Sequence, residues 1–219
     1  MKIDIYKPVV LFLLPAVLAG CSGEREPFPQ GGKAGLRIES CSSRGGTDGS
    51  PTLVKDFGMV LLDDTGGGYA GAVNPLHVTY GEGWIFPEVT LTETPCRLFA
   101  FSPFAAIPGK ELPLSLVPQT DYLASGEIRL DWQNRSADIG MEHLLCLLEF
   151  TIEGSSACTL SVEDVPTGGT YDLAGGKLSA GEKGTVPSDG NKVLLLPGKA
   201  GNNRVMIRFQ ENTYGWLLP

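Results

Sequence analysis

The chain has 219 residues, 29 of them glycine and 16 proline. Glycine and proline at that frequency interrupt helices, so a long all-helical architecture is excluded, while an apolar fraction of 42% is ordinary for a packed core. The formal charge is −8 and the basic residues are scattered, which argues against a nucleic-acid partner, since that needs a basic face.

Residues 1–21 read MKIDIYKPVVLFLLPAVLAGC. Lys2 and Lys7 precede an apolar run, residues 9–18, broken only by Pro15. The run is too short for a permanent membrane helix and ends in small residues, the pattern of an export signal over residues 1–20. Leu18-Ala19-Gly20-Cys21 resembles the bacterial lipobox, which implies cleavage before Cys21 and acylation of that cysteine. Several acyl chains together give stable anchoring. Loss of Lys2, Lys7 and Asp4 removes a net +1 from the charge of −8, leaving −9 on the mature chain. Residues 21–50 follow as a polar, glycine- and proline-rich tether holding a first strand-like piece, Leu36-Arg37-Ile38.

Residues 41–52 (CSSRGGTDGSPT) have the composition of a loop. Residues 53–62 (LVKDFGMVLL) read as a strand broken by Gly58, and Gly66-Gly67-Gly68 turns the chain. Residues 76–80 (LHVTY) alternate, and Trp84-Ile85-Phe86-Pro87 closes a further short piece. Residues 96–104 (CRLFAFSPF) are aromatic-rich and halted by Pro103, which suits a sheet. Residues 127–132 (EIRLDW) put Ile128, Leu130 and Trp132 on one face.

The most apolar stretch after the leader is GMEHLLCLLEFTIEG, residues 140–154. Met141, Leu144, Leu145, Leu148 and Ile152 would stripe a helix, but residues 148–153 alternate strictly and Gly154 ends them. Residues 158–165 (CTLSVEDV) alternate again after a small-residue turn. The two segments therefore read as a hairpin, with a central strand buried on both faces near residues 144–148. Thr170-Tyr171-Asp172-Leu173, the turn Gly175-Gly176 and Lys177-Leu178-Ser179 make another hairpin. Residues 193–196 form an apolar strand ended by Pro197, and residues 204–210 place Val205, Ile207 and Phe209 on one face. Many short strands separated by turn signals predict an all-β antiparallel sandwich.

Catalytic and cofactor signals are absent from this pattern. Cys41, Cys96, Cys146 and Cys158 form no C-x-x-C pair, and with two histidines a zinc site is not expected. The thiols read as small buried hydrophobes, with no disulfide pairing assigned. His143 reads as a hydrogen-bonded core histidine, and Asp63-Asp64 as a solvated turn rather than a calcium loop. No serine sits in G-x-S-x-G, and residues 66–71 lack the lysine of a phosphate loop. No enzyme activity and no cofactor are expected.

A family resemblance rests on four patterns in order. Trp84 stands in a short strand before an aromatic one. Residues 97–104 (RLFAFSPF) resemble a tyrosine-rich YAYYPY segment, and Asp121-Tyr122-Leu123-Ala124 resembles DLLYA. Residues 141–152 (MEHLLCLLEFTI) resemble F-x-H-x-L-x-x-L-x-F-x-I. With Leu195-Leu196-Pro197 and the closing YGWLLP, the chain resembles the fimbrillin-like lipoproteins of anaerobic Gram-negative bacteria.

The resemblance implies transthyretin-like β-sandwiches: one over residues 51–180, then strands of a rudimentary second domain over residues 181–219. It also implies an outer-membrane lipid anchor at Cys21 and partners among other fimbrial subunits. In the family an arginine-specific protease removes an N-terminal strand and a neighbour's strand fills the groove. Arg37 and Arg44 are the processing candidates. The competing expectation is a monomeric tethered sandwich that binds a host protein or glycan. Trp84 and Trp132 would then be its ligand-face aromatics, and Phe99, Phe101 and Phe104 would line a sugar surface.

Replacing Cys21 with alanine is expected to abolish metabolic palmitate labelling and to move the chain from the membrane pellet to the soluble fraction. Unchanged pelleting would refute the anchor.

Overall fold

The computed structural model describes residues 31–43, 52–150, 158–188, 190–198, 204–209 and 211–217. Among these residues there is no helix, and the strands follow in two stretches of the chain, before and after Leu144-Leu145. The first comprises β1 (Ala34–Gly35), β2 (Arg37–Ser43), β3 (Thr52–Leu53), β4 (Asp56–Leu62), β5 (Leu76–Tyr80), β6 (Trp84–Ile85), β7 (Thr90–Leu91), β8 (Cys96–Ser102), β9 (Glu111–Ser115), β10 (Leu123–Ser125), β11 (Ile128–Leu130) and β12 (Ser136–His143). The second comprises β13 (Cys146–Glu149), β14 (Thr159–Pro166), β15 (Gly168–Asp172), β16 (Lys177–Ala180), β17 (Lys183–Ser188), β18 (Lys192–Leu195), β19 (Arg204–Phe209) and β20 (Asn212–Leu217).

The largest sheet has the order β3-β2-β12-β10-β8-β4-β5-β6, and β11 continues β10 along the same edge of β8. A three-stranded sheet, β16-β15-β9, a pair, β13-β18, and a four-stranded sheet, β17-β14-β19-β20, complete the architecture with the short pair β1-β7. All described pairings are antiparallel except that of β2 with β12, which is parallel and shifts register between Ala137 and Asp138. The all-β sandwich expected from the strand series is therefore the observed class.

Three apolar clusters hold these layers. In the first, Phe57, Met59 and Leu61 of β4 meet Leu98 and Ala100 of β8, Leu76 and Val78 of β5, and Ile139 and Met141 of β12. The opposite faces of β4 and β8 supply Val60, Leu62, Phe99 and Phe101 to the second, covered by Leu112, Leu114 and Leu173. The third gathers Leu116, Leu145, Leu160, Val162, Val186, Val193 and Val205. Each fully buried aliphatic or aromatic side chain contributes roughly 1.5–3 kcal/mol. Residues 181–219 supply β17–β20, and these join β13 and β14, from residues 146–166, around the third cluster.

Three expectations are corrected. Gly58 does not break its strand. It pairs with Phe101, whose ring lies where a side chain would stand: a Cβ at position 58 would overlap Phe101 Cζ. The glycine is there to admit the ring, as strand glycines under close contacts do. Residues 41–43 are not loop but the end of β2, with Cys41 and Ser43 buried. Among the described residues the apolar run from residue 140 is not one central strand, and no pairing joins it to residues 158–165. Residues up to His143 belong to β12. The chain then steps at Leu144 and Leu145 into β13, which pairs with β18, while β14 pairs with β17 and β19. Alternation reveals a strand's two faces but not its neighbour. Cys146 and Leu147 are accordingly exposed, while Leu144 faces the second cluster and Leu145 the third. Residues 151–157, the end of the run and the expected turn, lie outside the described residues.

The hairpin at residues 170–179 forms as expected, with Tyr171 opposite Leu178 and Asp172 opposite Lys177. Burial lifts Asp172, but the amides of Gly175 and Ala174 and the Lys110 ammonium at 3.2 Å outweigh it and hold the carboxyl below its ordinary range.

Gly58→Ala is expected to destabilise the fold by about 1–3 kcal/mol through overpacking. Phe101→Leu, made together with it, should recover part of that loss in urea unfolding; strict additivity would show that the ring is not the obstacle. Thiol reactivity offers a second test. Burial pushes the Cys41 thiol up to about 12, and burial with the nearby Asp131 charge pushes Cys96 up to about 11. Cys158 is also buried and Cys146 is exposed. Iodoacetamide at pH 8 should modify Cys146 in the native protein and reach the other three only on unfolding, as read by peptide mass spectrometry.

Candidate interaction surface

The sequence NTYGWL forms β20 at the edge of the four-stranded sheet. Tyr214 stands opposite Ile207 and Trp216 opposite Val205, so both aromatics point to the inner face that carries the third cluster. Val205 is fully buried, yet Tyr214 is 55% and Trp216 50% exposed. The reason is the mismatch between the layers: four strands are faced by two, β13 and β18. Strand β18 packs over β14 and β17, and β13 ends at Glu149, followed by Phe150, whose ring meets Trp216 edge-on at 5.7 Å. Beyond that contact the inner face of β20 has no cover among the described residues.

Both strands bordering this gap keep an unpaired edge among the described residues. Strand β13 pairs only with β18, and β20 only with β19. Leu147 of β13 is 52% exposed and Leu217 of β20 54%. The far edge of β18 is treated differently. Gln119, at φ 53°, donates from Nε2 to the carbonyls of Leu116 (2.6 Å) and Leu194 (3.4 Å), and its Oε1 accepts the Leu194 amide at 2.6 Å. One side-chain amide thus substitutes for a neighbouring strand there.

A second edge feature lies at the opposite end of the chain. Strand β2 is inserted between β3 and β12, with Ile38, Cys41 and Ser43 buried. Arg37 opens the strand, and its amide donates to the Arg135 carbonyl at 2.9 Å. Arg44 directly follows the last residue of β2 and, like Cys21, lies outside the described residues.

The remaining sequence candidates are dispersed. Trp84 is half-buried on β6, packed edge-on against Phe57 (5.7 Å) and Tyr80 (4.7 Å). Trp132 is half-buried after β11, its amide donating to the Thr92 carbonyl at 3.1 Å. Phe99 and Phe101 are core residues, and Phe104 stacks on His77 at 4.0 Å, so the three do not form a common sugar platform. His143 is hydrogen-bonded, to Asp121 at 2.8 Å, but it stands at the surface rather than in the core, because β12 ends there. His77 bonds Asp56 at 3.0 Å. Asp63 closes a turn by accepting from the Thr65 hydroxyl and from the amides of Thr65 and Gly67, and the Thr65 hydroxyl is the main reason its carboxyl is held low. Sequence reasoning missed the gap beside β20. Its signal was an uncharged hexapeptide with two aromatic residues two apart, Tyr214 and Trp216.

No protein-family model and no curated protein matches the sequence. Solved structures do. The chain is similar to a candidate cell adhesion protein from Bacteroides uniformis, at 16% identity and a TM-score of 0.60, with 85% of each chain covered. A second such protein, from Bacteroides ovatus, aligns at 14% identity and a TM-score of 0.55 over 84% of this chain and 85% of that one. A third, from Bacteroides thetaiotaomicron, aligns at 13% identity and a TM-score of 0.52 over 83% of each. At these identities the likeness is one of fold. The chain has the all-β sandwich architecture of these Bacteroides structures, in agreement with the fold that the fimbrillin-like resemblance implies.

Proposed function

We propose that this chain is a surface-anchored subunit of fimbrial or adhesin type that assembles through its sheet edges, by β-strand donation or capping. The observation that carries the reading is the open side of the second sandwich. There β20 presents a six-residue edge that is unpaired among the described residues, and Tyr214 and Trp216 lie half-exposed on a face that is elsewhere core. An added strand would gain main-chain hydrogen bonds from the edge and side-chain burial from the face.

The N-terminal strand supports the same reading. Its pairing with β12 is parallel and irregular, and parallel ladders are slightly weaker per residue. The two arginine candidates differ in consequence. Cleavage after Arg37 leaves β2 attached to the body. Cleavage after Arg44 severs β2 from everything that follows and leaves it held by pairing alone, so Arg44 is the site that would free a groove beside β12. The lipobox at Cys21 supplies the outer-membrane anchor, and the fold neighbours' description as cell adhesion proteins supports a cell-surface location. Grouped by core, the first unit runs to Leu144 and takes in β15 and β16, between which Leu173 lies in the second cluster, while the second unit, from Leu145, borrows Leu116.

Treatment of the purified chain with an arginine-specific protease is expected to yield oligomers that survive SDS without boiling. Trp216→Lys should reduce the oligomer fraction by about tenfold or more, equivalent to about 1.4 kcal/mol per contact. A trimmed chain that stays monomeric at tens of micromolar would refute strand donation.

A further inference from the structure

The outer face of the β17-β14-β19-β20 sheet, opposite to the third cluster, carries a depression of about 350 Å3. Two register rows build it. Thr159, Arg208 and Thr213 stand opposite one another across β14, β19 and β20, and Pro187, Ser161 and Met206 do so across β17, β14 and β19. Directly opposed residues of antiparallel strands share a face, so the first row sets a guanidinium between two hydroxyls. The second row provides a low floor of proline ring, hydroxyl and thioether. It continues to Gly215, opposite Met206, where the missing side chain lets the Met206 thioether lie against β20.

The charges in this face are unequal. Arg204, two positions along β19, stands opposite Glu163 in register, whereas Arg208 faces Thr159 and Thr213. Among the described residues Arg208 makes no ion pair. This exposed guanidinium is complementary to one carboxylate, which it can bind through two parallel N–H donors. A polyphosphate or nucleic acid would need several cations in line. The flanking hydroxyls can both donate and accept, as recognition of sugar hydroxyls requires, and the Met206 and Pro187 surfaces fit the C–H face of a pyranose. The volume lies at the small end of ligand clefts, about 300–1,000 Å3.

We propose that this depression binds a carboxylated sugar residue of a glycan, with Arg208 on the carboxylate, Thr159, Ser161 and Thr213 on ring hydroxyls, and Met206 and Pro187 under the ring. The site uses the face of the sheet away from Tyr214 and Trp216, so it is independent of edge assembly.

The test is titration calorimetry of the full chain in detergent micelles with trigalacturonic acid as the probe. Its methyl ester and sodium sulfate serve as comparisons. Binding of the acid, a loss of at least tenfold on esterification, and a similar loss in Arg208→Gln with Arg204→Gln unchanged would support the site. An unchanged unfolding midpoint should accompany Arg208→Gln, since the side chain is exposed. No binding at millimolar probe, equal binding of the ester, undiminished binding by Arg208→Gln, or displacement by equimolar sulfate would each overturn it.

Discussion

The antiparallel pairing of β4 with β8 is the constraint from which the rest of the structure follows. Antiparallel sheets commonly keep one face in water, yet these two strands bury both. Phe57, Met59 and Leu61 point one way and Val60 and Leu62 the other, and across the ladder Leu98 and Ala100 oppose Phe99 and Phe101 in the same manner. Two apolar faces need two covers. One is formed by the remaining strands of the same sheet with the β1-β7 pair and Tyr69, the other by β9, β15 and β16. Gly58 sits where the demand is greatest: the Phe101 ring needs the space above the neighbouring backbone, and only a residue without a Cβ provides it.

The second constraint is that one short segment serves every core. Ile139 and Met141 belong to the first cluster, Leu144 packs on the second, and Leu145, Leu148 and Phe150 belong to or pack on the third. A segment so divided cannot slide by one residue without exposing apolar groups in three places, which fixes the registers of β12 against β10 and of β13 against β18 more firmly than alternation would alone. Tyr122 and Leu196 each pack against both the second and the third cluster, and the Tyr122 hydroxyl accepts the Ser115 amide at 3.2 Å. The second sandwich is thus built onto the first through shared side chains.

This division explains what could be read from the sequence. Strand existence was legible where alternation was strict and turns were marked, as in β5, β8, β11, β19 and the hairpin of β15 with β16. Pairing was not. Residues 146–149 and 159–166 are close in sequence and similarly patterned, yet each finds its partner tens of residues later, because Leu145 and Leu160 must enter the third core from different sheets. The parallel placement of β2 left no local trace either, since its partner lies some hundred residues away. The edge that carries the proposed assembly was visible as residues but not as an edge, because exposure of Tyr214 and Trp216 depends on how few strands lie across from them.

The treatment of the other edges gives that exposure its meaning. Free strand edges invite unwanted pairing, and folded proteins blunt them with short strands, prolines, lysines or covering side chains. Strands β3 and β6, at the ends of the large sheet, are two residues each. Strand β17 carries Pro187 and Lys183, β16 carries Lys177, and β18 is closed by Gln119. Strand β20 has none of these devices: no charge, no proline, six residues, and two aromatics half in water. Full burial of the exposed half of each ring is worth about 2 kcal/mol at the usual apolar transfer coefficient. A fold that blunts these edges and leaves that much unrealised burial beside β20 meets the physical requirement of the proposed completion by a neighbour's strand.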